Sequence, residues 1–76
     1  MPIVNIKTMK GLLTKEKKAE LHKRITDIIV EVEGNGNSSF AKFVVINIQE
    51  ENPENFSMGG QQASVELVEK IKSKVD

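Results

Sequence analysis

The sequence contains no cysteine, no tryptophan, no tyrosine and only one histidine. Without cysteine the chain forms no disulfide, no thiolate-ligated zinc site, no iron–sulfur cluster and no thiol nucleophile. The lone histidine, His22, has no partner in sequence with which to build a metal site, and its place beside Leu21 in an amphipathic segment is typical of a packing or surface residue. We therefore expect a protein that works without a metal or another cofactor.

The sequence also lacks an excess of charge of either sign, because eleven Lys and Arg residues balance eleven Asp and Glu residues. This balance argues against a basic arm for nucleic acid. No apolar run approaches the roughly 18 residues that a membrane span needs, and no secretory signal opens the chain. We expect a cytoplasmic protein that binds neither nucleic acid nor membranes. With 76 residues it has room for one small domain.

Hydrophobic patterning predicts a strand followed by a helix. Residues 2–9 are rich in β-branched side chains and stop at Lys10-Gly11, which indicates a strand. From Thr14, a candidate N-cap, apolar residues recur at helical spacing as far as Glu33, where a turn rich in Gly and Asn follows. The residues expected on one helical face are Leu21, Ile25, Ile28, Ile29 and Val32.

The second half of the chain predicts another strand and another helix. The apolar run 43–48 indicates a strand buried on both faces, and residues 50–55 indicate a polar loop. Residues 62–75 show a second amphipathic pattern. Its apolar face is formed by Val65, Val68, Ile71 and Val75. Two strands that flank a helix form a βαβ unit with parallel strands, so the fold class is α/β (α+β).

The predicted two-stranded sheet is too small to be stable alone. The first helix covers only one of its faces. The face left open carries either Phe43 and Val45 or Val44, Ile46 and Ile48, depending on register. We therefore expect a homo-oligomer, a dimer or a hexamer, whose core is shared between copies of the chain.

Proline at position 2 is a candidate catalytic residue. Removal of Met1 leaves a secondary amine at the terminus, and an apolar pocket lowers the pKa of such an amine below the ordinary value of about 8. The neutral amine then takes a proton from one atom and returns it to another. The alternative is that Pro2 only opens an edge strand, where its missing N–H costs nothing.

The N-terminal strand and the loop after the second predicted strand resemble those of the 4-oxalocrotonate tautomerase family. The resemblance spans residues 2–60 and is most specific at the terminal Pro-Ile strand and at the loop Pro53-Glu54-Asn55-Phe56-Ser57-Met58-Gly59-Gly60. It implies one tautomerase-like domain over residues 1–76, assembled as dimers or as a trimer of dimers. It also implies a cofactor-independent isomerase that interconverts keto and enol forms of a small molecule.

The resemblance assigns roles to individual residues. Pro2 matches the general base and acid, and Phe56 matches an aromatic wall of the substrate pocket. Met9 and Met58 are expected to line the same apolar cavity, and Leu12 to help shape it. Phe56 and Met58 would equally suit a subunit interface, where either side chain fills space between copies.

The sequence departs from the family where its best-studied members carry two arginines for a dicarboxylate. Those positions fall on Leu12 or Leu13 and on Val44 or Val45, and the only arginine, Arg24, lies within the first helix. Three lysines flank the strand ends and could partly compensate for the arginines, although each is predicted to be a surface charge: Lys7, Lys10 and Lys42. We therefore expect a less charged substrate, such as an enol or 2-keto acid similar to phenylpyruvate.

An alternative function follows from the same departures. With Met1 attached, the Pro2 nitrogen is an amide without a basic lone pair. The chain would then be a catalytically inactive family member that serves as an oligomeric structural or small-ligand-binding protein.

Overall fold

The computed structural model describes residues 1–73 and contains a βαβ unit followed by a small hairpin and a second helix. Val75, predicted on the second helix, lies outside the described residues. In chain order the elements are β1 (Ile3–Met9), α1 (Lys15–Val32), a 3-10 helix (Ser38–Phe43), β2 (Val45–Glu51), a 3-10 turn (Pro53–Asn55), β3 (Ser57–Met58), β4 (Gln61–Gln62) and α2 (Val65–Lys72). None of the helices within residues 1–73 is long and apolar enough to cross a membrane.

Strands β1 and β2 pair in parallel, which confirms the predicted βαβ unit. The register runs from Ile3 opposite Val45 to Met9 opposite Glu51. The ladder continues past Met9, because the Lys10 amide donates to the Glu51 carbonyl at 2.8 Å. Both carboxyl ends of the strands therefore lie at the same edge of the sheet.

Helix α1 begins where its capping residue predicts. The Thr14 side chain accepts a hydrogen bond from the Lys17 amide at 3.1 Å, which satisfies one of the free N–H groups of the first turn. The helix packs on one face of the sheet, where Lys18 forms an ion pair with Glu50 of β2. The predicted apolar stripe is not covered as a whole, since the side chains of Ile28 and Val32 are 56% and 74% exposed.

The two faces of the sheet differ. On β2, Ile46 and Ile48 are half-buried and share the face of Glu50 that meets α1, whereas Val45, Asn47 and Gln49 are exposed on the opposite face. The prediction that the second strand is buried on both faces was therefore wrong for the single chain. The sequence left two sets of residues as candidates for the uncovered face of the sheet. The structure places Val45 on that face, because successive side chains of a strand point to opposite faces.

Phe43 does not belong to the second strand. It ends the 3-10 helix Ser38–Phe43, and the Val44 amide donates to Ala41 at 3.1 Å instead of joining the sheet. The Asn37 side chain caps this helix by accepting from the Ser39 amide, and the Phe43 ring lies 6.1 Å from that of Phe40. Local capping and aromatic packing thus outweigh the β propensity of the run.

The predicted loop and the second helix also begin later than expected. Glu50 and Glu51 extend β2, so the polar loop starts after them. The second helix starts at Val65, because residues 57–62 form a hairpin that the sequence analysis did not predict. Ser64 marks the helix start by accepting from the Leu67 amide at 3.1 Å.

The single chain has no enclosed core. No hydrophobic side chain among residues 1–73 is fully buried. The chain exposes 5996 Å² and has a radius of gyration of 15.5 Å. A compact monomer of this size would expose about 4,700 Å² and have a radius of about 11 Å. The helices of the single protomer therefore cover only part of its apolar surface.

The turn after α1 depends on a close approach between Gly34 and Phe40. A Cβ atom at position 34 would lie 2.8 Å from three atoms of the Phe40 side chain. Gly34→Ala is expected to lower the free energy of unfolding by about 1–3 kcal/mol through overpacking. Urea denaturation at a fixed protein concentration measures this change, since assembly is linked to stability.

The matched control uses a Phe40→Ala background, which removes two of the three close atoms and leaves the Cβ. There the cost of Gly34→Ala should shrink. An equal cost in both backgrounds would contradict the proposed contact.

Candidate active site

An open cavity of about 300 Å³ lies at the carboxyl end of β1. Lys7 and Met9 reach it from β1, and Phe56 and Met58 reach it from the segment after β2. Its full lining consists of Lys7, Thr8, Met9, Phe56, Ser57, Met58 and Ala63. The structure thus brings together three residues singled out from the sequence, Met9, Phe56 and Met58, although 47 positions separate the first from the second along the chain.

Backbone hydrogen bonds hold Phe56 in the cavity wall. The Phe56 amide donates to the Pro53 carbonyl at 3.0 Å and closes a 3-10 turn that begins at proline. The Phe56 carbonyl accepts from the Ala63 amide at 2.9 Å. Because both backbone groups are engaged, the ring direction is set by the turn on one side and by the hairpin on the other.

Met58 is presented by a tight hairpin between β3 and β4. The turn residues Gly59 and Gly60 both have positive φ, at 61° and 85°. This backbone suits a two-residue hairpin turn and favours glycine over residues with a Cβ. The Met58 side chain is 79% exposed, so it forms an open rim of the cavity in the single chain.

Pro2 lies at the other end of β1 and does not line this cavity. Its carbonyl accepts from the Val45 amide at 3.0 Å, which continues the parallel ladder by one step. Lys7, the cavity residue nearest to Pro2 along β1, lies five positions further on, and at about 3.3 Å per residue the two lie about 16 Å apart. Pro2 and the cavity of the same chain are therefore too distant to act on one small molecule.

Leu12 is also absent from the cavity lining. It is half-buried in the connection between β1 and α1. Gly11, just before it, has a φ of 101°, and a Cβ there would lie 3.2 Å from Val65 at the start of α2. This connection therefore packs beside α2 and does not reach the cavity that Met9 lines.

Lys7, weighed from the sequence as a partial replacement for arginine but predicted to be a surface charge, lines the cavity, as do Thr8, Ser57 and Ala63, which the sequence did not single out. The two other lysines considered lie elsewhere: Lys42 is 5.5 Å from the centre of the Phe43 ring, and Lys10 does not line the cavity. Period-two spacing from Met9 along β1 could have identified Lys7, because residues i and i+2 share a face of a strand.

A second, larger groove lies along α1. It encloses about 530 Å³ and contains the only arginine, Arg24, whose guanidinium binds Glu20 of the same helix at 2.8 Å. Its lining consists of Leu13, Lys17, Glu20, Leu21, Arg24, Ile25 and Ile28. Within residues 1–73, no cluster of three or more His, Asp or Glu side chains is arranged to hold a metal ion.

Comparison with known proteins identifies the family of this chain. A family model described as "Tautomerase enzyme" matches residues 2–66, which include β1, the cavity and the hairpin. The chain belongs to the tautomerase family. The match stops at residue 66, so most of α2 lies beyond it.

Two solved structures share the fold of this tautomerase-family chain. One is DmpI from Helicobacter pylori, with 28% identity and a TM-score of 0.64 over 80% of this chain and 94% of that one. The other is YwhB, described as a homologue of 4-oxalocrotonate tautomerase, with 23% identity and a TM-score of 0.67 over 80% of this chain and 92% of that one. A search of curated proteins finds no match.

The hairpin that carries Met58 should depend on the backbone freedom of Gly60. Nothing lies within 4 Å of a Cβ built at Gly60, so only the positive φ opposes a side chain there. Gly60→Ala should destabilise the hairpin by about 1–2 kcal/mol, and Gly60→Asn by less, because Asn tolerates this conformation. Hydrogen exchange of the hairpin amides measures both variants.

Exchange in residues 57–62 should accelerate about tenfold or more in Gly60→Ala. If the alanine and asparagine variants exchange equally fast, backbone strain at Gly60 does not determine the stability of the hairpin.

Proposed function

We propose that this chain is a cofactor-independent keto–enol tautomerase in which the amine of Pro2, freed by removal of Met1, is the general base and acid. Its substrate is a small enol or 2-keto acid. The substrate lies between Pro2 of one protomer and the cavity of Met9, Phe56 and Met58 in a neighbour. Leu12 does not line this cavity in a single chain.

The observation that carries the proposal is the cavity itself, in a chain of the tautomerase family. It joins an aromatic ring and two methionines beside one lysine, which suits a small molecule with an apolar body and a charged end. The apolar walls also favour a neutral amine over an ammonium in any Pro2 that enters them.

The proton balance needs no other reactant. In the enol-to-keto direction, the Pro2 nitrogen accepts the hydroxyl proton of the enol and leaves an enolate, whose C=C electron pair takes up a proton at carbon as the C=O bond forms. The resulting ammonium then donates a proton to the adjacent carbon, which returns the amine to its neutral form. A backbone N–H group or a lysine near the oxygen stabilises the enolate in between.

The separation of Pro2 from the cavity supports a site built from two protomers. About 16 Å of extended strand lies between Pro2 and the nearest lining residue of the same chain, so the amine that serves a given cavity comes from another copy. The open surface of the protomer supports the same arrangement. Exposed apolar side chains such as Ile28, Val32 and Val45 need a partner to leave water.

The Pro2 mechanism is tested by comparing Pro2→Ala with the unaltered chain after removal of Met1. Ketonisation of the enol of phenylpyruvate should slow by about 10² or more, because general acid–base catalysis contributes about 10²–10⁴. Equal rates for the two proteins would overturn the proline mechanism.

A matched control keeps every side chain. The same sequence with Met1 retained should be inactive, because its Pro2 nitrogen is an amide. Mass spectrometry of the protein from its native source then shows which form the cell makes. Full retention of Met1 would favour an inactive oligomeric or ligand-binding protein.

The shared site is tested by mixing two impaired variants, Pro2→Ala and Phe56→Ala. Refolded together in equal amounts, they should regain about one quarter of the unaltered activity, because random assortment pairs an intact Pro2 with an intact cavity in about one quarter of the sites. Activity that stays at the average of the two variants would contradict a site between protomers.

Sedimentation supplies the control for this mixing experiment. Both variants and the unaltered chain should sediment as the same dimer or hexamer at low concentration. A stable, cooperatively folded monomer would show that the helices enclose the core unaided.

A further inference from the structure

The cavity at the end of β1 carries a single charge. Of the side chains that line it, only Lys7 is ionisable, and the others are hydroxyl-bearing or apolar. One positive charge thus stands at the wall of a space whose remaining surface is formed largely by Met9, Phe56 and Met58. A ligand that fills this space meets one cation and little other polarity.

The Lys7 ammonium is not paired with a carboxylate in the described part of the chain. The ion pairs within residues 1–73 involve Lys18, Lys23, Arg24 and Lys72. Lys7 forms none in that part of the chain, and its cross-strand partner is the neutral Gln49. The nearest acidic residue on the same face is Glu51, opposite Met9, and it forms no ion pair with Lys7 either.

No arginine competes for this role. Arg24, the only one in the sequence, lies on α1 and is bound to Glu20 at 2.8 Å. Helix α1 covers the face of the sheet that holds Ile46 and Glu50, whereas Lys7 is exposed on the opposite face. The charge available to a ligand in the cavity is therefore that of a lysine.

We propose that the Lys7 ammonium binds the carboxylate of a monoanionic ligand whose apolar body lies against Met9, Phe56 and Met58. Within the proposed function, on which this inference rests, the ligand is a 2-keto acid or its enol with one carboxylate and an apolar tail. A dicarboxylate is disfavoured, because its second charge would be desolvated without a partner.

Lysine suits such a ligand in another respect. Its ammonium is a compact charge on a flexible stem, so it holds a carboxylate without imposing the planar, two-point geometry of arginine. Which ligand the cavity binds then depends on the number of charges that the ligand carries and on the size of its apolar body. The cavity should accept several tails of similar volume on the same 2-keto acid group.

The test compares Lys7→Met, which keeps the length and removes the charge, with Lys7→Arg, which keeps the charge. For the phenylpyruvate anion, Lys7→Met should raise KM about tenfold or more, since a charged hydrogen bond is lost. For the neutral methyl ester, KM should stay the same in all variants, and Lys7→Arg should largely restore anion binding.

Lys10→Met is the matched control, because Lys10 lies three positions further along and outside the cavity lining. It removes the same net charge and should leave KM unchanged. An equal effect of Lys7→Met and Lys10→Met, or an equal loss for the anion and the ester, would overturn the inference.

A binding measurement separates this inference from the proposed function. Calorimetric titration of the Met1-retaining chain with phenylpyruvate reports binding without turnover. If the processed chain shows no tautomerase activity but anion binding still depends on Lys7, the proposed function fails and the inference stands. If activity depends on Pro2 but neither KM nor affinity depends on Lys7, the inference fails and the function stands.

Discussion

The parallel pairing of β1 with β2 is the constraint on which the other features depend. Parallel strands need a crossover, and α1 supplies it along one face of the sheet. Their carboxyl ends meet at one edge, where Met9 pairs with Glu51 and the chain turns into the segment that carries Phe56. The same pairing places Pro2 at the opposite edge, so one interaction both creates the cavity and separates it from the terminal amine.

The small size of this sheet has a direct consequence for function. Two strands and two short helices cannot enclose a core, and no hydrophobic side chain within residues 1–73 is fully buried. Association of copies would cover the exposed apolar surface and would also bring a terminal proline to a neighbour's cavity. In the function we propose, stability and catalysis therefore need the same contacts between protomers.

The positive charge in the proposed site comes from a lysine, because no arginine lines the cavity. The only arginine of the sequence lies on α1, and the cavity carries one lysine on β1. A single point charge in an apolar cavity selects by charge count and by fit of the apolar body. In the function we propose, this member of the tautomerase family recognises its substrate through one lysine charge.

Local signals in the sequence determined the elements of this protein. Thr14 marks the start of α1, the β-branched residues mark β1, and the spacing between elements implies parallel strands, because capping, propensity and crossover rules act over short stretches. The start of β2 differs from the prediction because other local signals compete, since capping by Asn37 and packing of Phe40 on Phe43 draw the start of the apolar run into a 3-10 helix. Period-two spacing places Lys7 on the face of Met9, and a strand over residues 2–9 already sets Pro2 at the opposite end, but only the tertiary structure brought Phe56 and Met58 to the end of β1. Residues distant in sequence meet only through the register of the sheet and the path of the hairpin, and no local pattern encodes either.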